Sequence, residues 1–219
     1  MSKPTDIQLK SVRSSTQKIN YRTPIKFGGR VVDDVVLLNI TVDVETRDGR
    51  TAQGFGSMPV GNAWGWPSQQ VESDDTLAAM IALGEQVAQS ADSYQEMGHP
   101  LEIMHDLSQG YDAISQTANQ GCGISEAMPK LAQLVAASPV DAAVHDAYGK
   151  VLGENSYNLL GSDYVNRDLS HYLDDDFAGE TLDQYTLREH RALEARKHSV
   201  RSRRLIASEE CPEYVCKGQ

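Results

Sequence analysis

The feature that most constrains the fold of this chain is a change in its hydrophobic period. Residues 38–45 alternate strictly between apolar and polar side chains, which is the period of a strand buried on one face. Residues 7–10 alternate more weakly, and residues 51–57 follow Asp48-Gly49, a dipeptide typical of tight hairpins. From Ser73 onward, apolar residues recur at helical spacing instead. The sequence therefore predicts an α+β fold in which a three-stranded antiparallel meander is followed by a bundle of helices.

Three helices are predicted after the meander. The first has Ser73 as its N-cap, and the second begins at Pro100 and stops before Gly121. The third has Ser138 as its N-cap, followed by a proline in the first turn, and it ends at Gly153 in the position of a left-handed C-cap.

Composition excludes several classes of protein. The chain has 20 basic and 31 acidic residues and a net charge of −11, which would repel phosphate backbones and excludes nucleic acid as a general partner. No apolar run approaches the roughly 18 residues of a membrane-spanning helix. The first residues lack the apolar segment of a secretory signal, and the 3 cysteines cannot form a closed set of disulfides. We therefore expect a cytoplasmic protein without a membrane partner.

The polar motifs do not indicate a catalytic or metal centre. Asp141 and His145 lie one helical turn apart and could form a dyad, but no nucleophile motif accompanies them, which favours a pair on the helix surface. The three adjacent acids 174–176 lack the spacing of a calcium loop and are expected in a solvated loop. Cys211 and Cys216 lack a second ligand pair. The sequence predicts neither catalytic nor metal-ligating residues in this chain.

Two segments rich in turn formers interrupt the predicted meander, at residues 21–29 and 58–67. Both tryptophans lie in the second segment. Loops on a rigid scaffold often carry binding residues, so these rings either bind a ligand or pack on the core of their own domain. The candidate binding residues are Arg22, Lys26 and Phe27 in the first loop, and Asn62, Trp64 and Trp66 in the second.

Residues 138–153 form an alanine-rich segment with aspartates five apart, and Leu159-Leu160-Gly161 follows it. This pattern resembles the helix that joins the two domains of enolase-superfamily enzymes, in particular the mandelate racemase and muconate lactonizing branch. The meander with its two loops resembles the N-terminal capping domain of that family, so the resemblance covers about residues 7–175. Three positions depart from the family pattern: His145 replaces a frequent tryptophan, Asn155 a frequent proline, and Ser162 a frequent glycine.

The resemblance implies that two cap loops, here residues 22–27 and 61–66, close over a (β/α)₈ barrel and help to select a small carboxylate substrate. It also implies abstraction of the proton next to that carboxylate, with Mg²⁺ stabilising the enediolate. The family's Lys-x-Lys pair is absent, and only 58 residues follow Gly161, whereas a barrel takes about 250 residues. We therefore expect a truncated enzyme, inactive alone and without its own cofactor. Racemase, dehydratase and cycloisomerase chemistry all stay open.

We expect a capping domain at 1–137, a linking helix and first barrel strand at 138–175, and a non-native-looking or disordered tail at 176–219. The barrel strand is placed at residues 165–173. Residues 187–204 hold 7 basic and 2 acidic residues. This tail indicates either a truncated or frame-shifted gene product or a basic helix that docks on the acidic body. The alternative function is a non-catalytic binding or oligomerisation module, for example a homo-oligomer.

Overall fold

The computed structural model describes residues 3–27 and 30–184. These residues divide into two compact units. One reaches to Leu159 and includes Asp163–Asn166, and the other consists of Leu160–Ser162 and residues 167–184. The predictions for residues 187–204, and for the cysteines at 211 and 216, lie outside the described residues. The predicted division into three domains stays a prediction.

The sheet of the first unit is the predicted antiparallel meander. Its strands are β1 (Ile7–Phe27), β2 (Arg30–Thr46) and β3 (Thr51–Pro59), in the order β1-β2-β3. The hairpin predicted at Asp48-Gly49 joins β2 to β3, and Gly49 has a φ of +85°, which favours glycine. The predicted fold class is confirmed.

The first predicted loop is wrong in its secondary structure. β1 continues through residues 21–27 and pairs with β2 as far as Phe27 and Arg30. The register shifts between Asn20 and Ile25, so that four residues of β1 lie opposite one residue of β2. Pro24 lies in this bulge, where its missing N–H costs no ladder hydrogen bond. The turn formers are thus accommodated inside a long strand.

The helices follow the sheet in the order α1 (Asn62–Gly65), α2 (Ser73–Asp92), α3 (Pro100–Ser108), α4 (Tyr111–Gly121) and α5 (Lys130–Leu152). The predicted N-cap Ser73 is instead the first residue of α2, and Glu72 occupies the N-cap position. Two further predicted boundaries are wrong. The second predicted helix is divided at Gln109 and Gly110 into α3 and α4, and α5 begins eight residues before Ser138. Met58 and Pro59 belong to β3, and α1 occupies part of the second predicted loop. The αL C-cap at Gly153 is confirmed, with φ 69°.

Helix α5 continues through a proline because a neighbouring hydroxyl replaces the missing donor. Pro139 has no N–H for the carbonyl of Val135, four residues earlier. Ser138 Oγ donates to that Val135 oxygen at 2.8 Å, so the acceptor stays satisfied. The predicted N-cap serine is therefore an internal residue of the helix that repairs the break.

The core lies between the sheet and helices α2 and α5. Leu38, Ile40 and Val42 of β2 are fully buried on the helix-facing side of the sheet, as their alternation predicts. α5 approaches β3 so closely that a Cβ at Gly54 or Gly56 would overlap carbonyl oxygens of the helix. These two glycines thus set the distance between sheet and helix.

After α5 the described chain forms short 3₁₀ helices at Ser156–Leu159, Leu169–His171, Asp175–Phe177 and Leu182–Gln184. The predicted barrel strand is absent, because residues 165–173 contain no strand. A strand needs a neighbouring strand for its backbone groups, whereas here the Leu169 N–H donates to Glu180 O at 2.8 Å, and both residues lie outside any strand. In the described part of the chain, every helix is too short or too polar to cross a bilayer.

Candidate functional site

The first unit has a cleft where the far end of the β1–β2 ribbon faces α1 and the start of α2. Its volume is about 280 Å³. Tyr21 and Ile25 of β1 line one side, and Trp64 and the backbone of Gly61 line the other. The two segments predicted as binding loops therefore meet at one cleft.

The first segment contributes different residues from those predicted. Arg22 and Lys26 are exposed on β1 and do not line the cleft, and the side chain of Phe27 lies outside the described part. Tyr21, the first residue of the bulge, and Ile25, the first paired residue after it, supply the wall instead. The sequence analysis missed them because it predicted a loop here. In a strand, side chains alternate between the two faces, but a loop gives no such rule for which side chains face the cleft.

The second segment is held by hydrogen bonds that fix the position of Trp64. Asn62 Nδ2 donates to Ser73 O at 2.7 Å and to Thr76 Oγ1 at 3.0 Å, which ties α1 to the first turn of α2. A Cβ at Gly61 would overlap the indole of Trp64, so the ring lies directly against this glycine. The ring is 39% exposed and faces the cleft.

The two tryptophans have different environments. Trp66 is 1% exposed and belongs to the core. Its Nε1–H donates to Glu126 Oε1 at 2.6 Å, and Ser68 Oγ donates to Glu126 Oε2 at 2.7 Å. These hydrogen bonds, first that of Trp66, hold the pKa of Glu126 below its usual value. Trp66 thus anchors the segment that presents Trp64.

The cleft is mostly apolar, and the one acidic residue among its described lining residues forms an ion pair. That residue is Asp34, whose Oδ2 lies 2.6 Å from Lys18 Nζ. The hydrogen bond to Asp34 is the main cause that raises the pKa of Lys18. Valine, proline, isoleucine and aromatic side chains form most of the remaining wall. The arrangement suits the uncharged part of a ligand.

The acid–histidine pair on α5 is a contact across one helical turn. His145 Nε2 lies 3.7 Å from Asp141 Oδ1. Burial lowers the pKa of His145, and the nearby Asp141 carboxylate opposes that shift. The next pair along α5 has a packing role, since Asp146 accepts from Lys150 Nζ at 2.6 Å and from the backbone N–H of Phe55 at 2.8 Å.

A buried histidine that the sequence did not single out lies at the start of α3. His99 Nδ1 accepts from Leu101 N–H at 3.1 Å, so the ring carries its proton on Nε2, 2.8 Å from Leu159 O. Glu102 completes the capping box by accepting from the His99 backbone N–H. Burial lowers the pKa of His99 to about 4. The sequence signal for an N-cap at residue 99 was its position before Pro100, because proline is common at the first position of a helix. Histidine itself is an unusual N-cap.

The described residues do not fit a magnesium site. Over residues 3–27 and 30–184, no group of three or more His, Cys, Asp or Glu side chains lies close enough to hold a metal ion. The acids predicted in a solvated loop are exposed, and Asp174 accepts a hydrogen bond from the backbone of Asp176. Metal chemistry is therefore not assigned to these side chains.

No family model and no curated protein matches the chain. Solved structures that it resembles include L-talarate dehydratase from Polaromonas sp. JS666 complexed with Mg and L-glucarate, at 21% identity and a TM-score of 0.39. Another is an enolase from Bradyrhizobium complexed with magnesium and mandelic acid, at 19% identity and a TM-score of 0.40. Each comparison covers 71% of this chain and 35% of the other chain.

A third similar structure is a mandelate racemase/muconate lactonizing enzyme from Polaromonas sp. JS666, at 21% identity and a TM-score of 0.37. That comparison covers 72% of this chain and 33% of the other. All three are solved structures of enzymes. The chain spans about a third of their length.

Proposed function

We propose that this chain is the capping-domain portion of an enolase-superfamily enzyme of the mandelate racemase and muconate lactonizing branch. The observation that carries the proposal is the cleft, because both segments expected to act as cap loops line it. The fold, a three-stranded meander followed by helices, agrees with this role. In the whole enzyme, Mg²⁺ would stabilise the enediolate that forms when the α-proton of a small carboxylate is removed.

The part of this chain in that reaction is to enclose the substrate. Asp34 is already paired with Lys18, and the described residues that line the cleft are otherwise uncharged, so this part of the cleft offers apolar walls and no cation for a carboxylate. Tyr21, Ile25 and Trp64 would therefore contact the part of the substrate remote from its carboxylate and exclude water from it. Proton abstraction would come from groups outside the described residues, so we propose that the chain alone is inactive. Its cytoplasmic location stays a prediction from composition.

Indole N–H signals of the ¹⁵N-labelled full chain test this role by NMR. Mandelate presents a phenyl group beside its carboxylate, whereas glucarate presents hydroxyl groups and a second carboxylate and has no apolar group. We expect mandelate to shift the Trp64 signal and leave the buried Trp66 signal in place, since only Trp64 lines the cleft. Glucarate should shift neither signal. Equal shifts with both acids, or a shift of Trp66 alone, would contradict the proposed apolar subsite.

A matched pair of variants separates binding from folding. The backbone amide signal of Tyr21, which also lines the cleft, should shift with mandelate in the unsubstituted chain. Trp64→Ala removes an exposed wall of the cleft and should abolish that shift. Leu134→Ala removes a side chain that is 50% exposed on α5 and does not line the cleft, so it should leave the response unchanged.

An oligomerisation module is the second candidate function. The observation that favours it is the free edge of β1 beyond Val12, where the described residues supply no partner.

A further inference from the structure

The two edges of the sheet are closed near the helices. At the β1 edge, the Ile7 N–H donates to Gly98 O and the Gly98 N–H donates back, both at 3.0 Å. Further along the same edge, the Val12 N–H donates to Asp92 Oδ1 of α2 at 2.7 Å. On the opposite edge, Asp146 of α5 accepts from the Phe55 N–H. Helix carboxylates thus occupy backbone donors that would otherwise attract another strand.

This protection stops at Val12. Alternate residues of an antiparallel strand direct their N–H and C=O groups to opposite sides. Because the Val12 N–H points away from β2, the backbone groups of Ser14, Thr16 and Lys18 point away from it too. No described residue bonds to them on that side. β1 therefore presents an extended, exposed edge with unused donors and acceptors.

We infer that this edge pairs antiparallel with the same edge of a second copy of the chain, centred on Thr16. In that register, Thr16 bonds to its symmetry mate through both backbone groups, and Ser14 bonds to Lys18 of the second copy. The two three-stranded sheets become one continuous sheet. The inference deepens the second candidate function, oligomerisation, and does not rest on the proposed enzyme function.

The side chains of this edge suit a second copy. Lysine and arginine on an edge usually oppose pairing, but here Arg13 is paired with Asp43 at 2.8 Å and Lys18 with Asp34 at 2.6 Å, both within the same sheet. The register centred on Thr16 places Arg13 opposite isoleucine and Lys18 opposite serine, so like charges do not face each other. Threonine opposite threonine is a favourable cross-strand pair. The edge is therefore complementary to itself.

Hydrogen exchange of the full chain tests the pairing residue by residue. We expect sedimentation to show a monomer–dimer equilibrium, and the amides of Ser14, Thr16 and Lys18 to become protected as the dimer forms. The amides of Ser15 and Gln17 face β2, so their protection should be independent of concentration and serves as an internal control. Protection of the outward amides in a monomer, or a dimer without that protection, would overturn the inference.

Two backbone variants test the centre of the pairing. Thr16→Pro removes an outward N–H that the sheet itself does not use, a position where an edge strand tolerates proline. Losing two intermolecular hydrogen bonds should raise the dimer dissociation constant about thirtyfold. Thr16→Val keeps the N–H and should change the constant less than about threefold. A dimer that Thr16→Pro leaves unchanged would contradict pairing at this edge.

A charge exchange distinguishes a second copy from any other extended peptide. Thr16→Lys and Thr16→Glu each place like charges opposite each other, so each variant alone should dimerise about fivefold more weakly. Mixing the two in equal amounts should restore the association as a heterodimer. Full protection of Ser15 and Gln17 in each variant verifies the fold. A mixture no stronger than its components, or a wild-type chain that stays monomeric up to millimolar concentration, would overturn the inference and leave the edge to a different extended peptide.

Discussion

The two halves of the β1–β2 ribbon both contain β-branched residues in paired strands, but their surroundings differ. Near the hairpin with β3, Ile40 is fully buried beneath α2 and α5. Near the other end, Ile25 and Val31 are 54% and 69% exposed, although they too are β-branched residues of a paired strand. Strand formation is thus shared by both halves, whereas burial depends on where the helices lie. The covered half stabilises the fold, and the uncovered half is available for binding.

The largest expected effect comes from removing an equivalent side chain in each half. Ile40→Ala should lower the free energy of unfolding by about 4 kcal/mol, because it leaves a cavity in the core. Ile25→Ala, at an exposed position, should cost less than about 1 kcal/mol. Urea unfolding followed by circular dichroism measures both values. Equal losses would mean that both halves of the ribbon are packed alike.

The second effect is a loss of stability in acid, caused by His99 in the covered part of the unit. Its pKa is about 4 in the folded chain and 6.5 when unperturbed, so between these values the unfolded chain binds a proton that the native chain does not. Stability is therefore retained above pH 6.5 and falls as pH decreases towards 4, by up to about 3 kcal/mol. Burial is the main cause, and nearby His145 also disfavours the charged ring.

Unfolding measured from pH 7.5 to 4 in His99→Gln isolates this contribution. We expect a flatter dependence on pH than in the unsubstituted chain. Leu107→Ala, on the same helix and without a titratable side chain, should keep the original slope. If stability depends on pH equally in His99→Gln and in the unsubstituted chain, His99 is not a buried neutral imidazole.

A third, smaller effect compares the two tryptophans. Trp66→Phe removes the hydrogen bond to Glu126 and part of a buried ring, and should cost about 1–2 kcal/mol. Trp64→Phe retains an aromatic ring on the wall of the cleft and should cost less than about 0.5 kcal/mol. Thermal unfolding of the two variants measures the difference. A larger loss of stability in Trp64→Phe than in Trp66→Phe would contradict the assignment of Trp66 to the core.

The smallest effect is expected in the uncovered half of the ribbon, at its ion pair. Lys18 and Asp34 are side chains of an exposed two-stranded region, so Lys18→Ala should leave the midpoint of urea unfolding within experimental error. A clear shift that disappears in high salt would show that this half contributes to stability through its charges.

The sequence predicted those parts of the fold that local chemistry specifies. The alternation of residues 38–45 identifies β2 and its buried face, and Asp48-Gly49 identifies the hairpin. The start of α5 was mispredicted because Pro139 normally begins a helix, whereas Ser138 Oγ satisfies the carbonyl that this proline leaves free. The length of β1 was mispredicted because a bulge accommodates its turn formers.

The candidate site could be predicted only by segment. Both tryptophans were candidates, but neighbouring groups decide their roles: Glu126 holds Trp66 in the core, and Gly61 leaves room for the ring of Trp64 on the cleft side. Tyr21 and Ile25 line the cleft because of the register shift between β1 and β2 after Asn20. Such contacts between distant segments leave no local pattern in the sequence.

The central claim is that this chain supplies a cover for a substrate and not the groups that remove its proton. Exchange of the α-proton for deuterium, followed by ¹H NMR in D₂O over a panel of 2-hydroxy and 2-amino carboxylates, tests it directly. With the purified full chain, with or without Mg²⁺, we expect the exchange rate of the buffer alone. An exchange rate that rises in proportion to the concentration of the chain would contradict the claim.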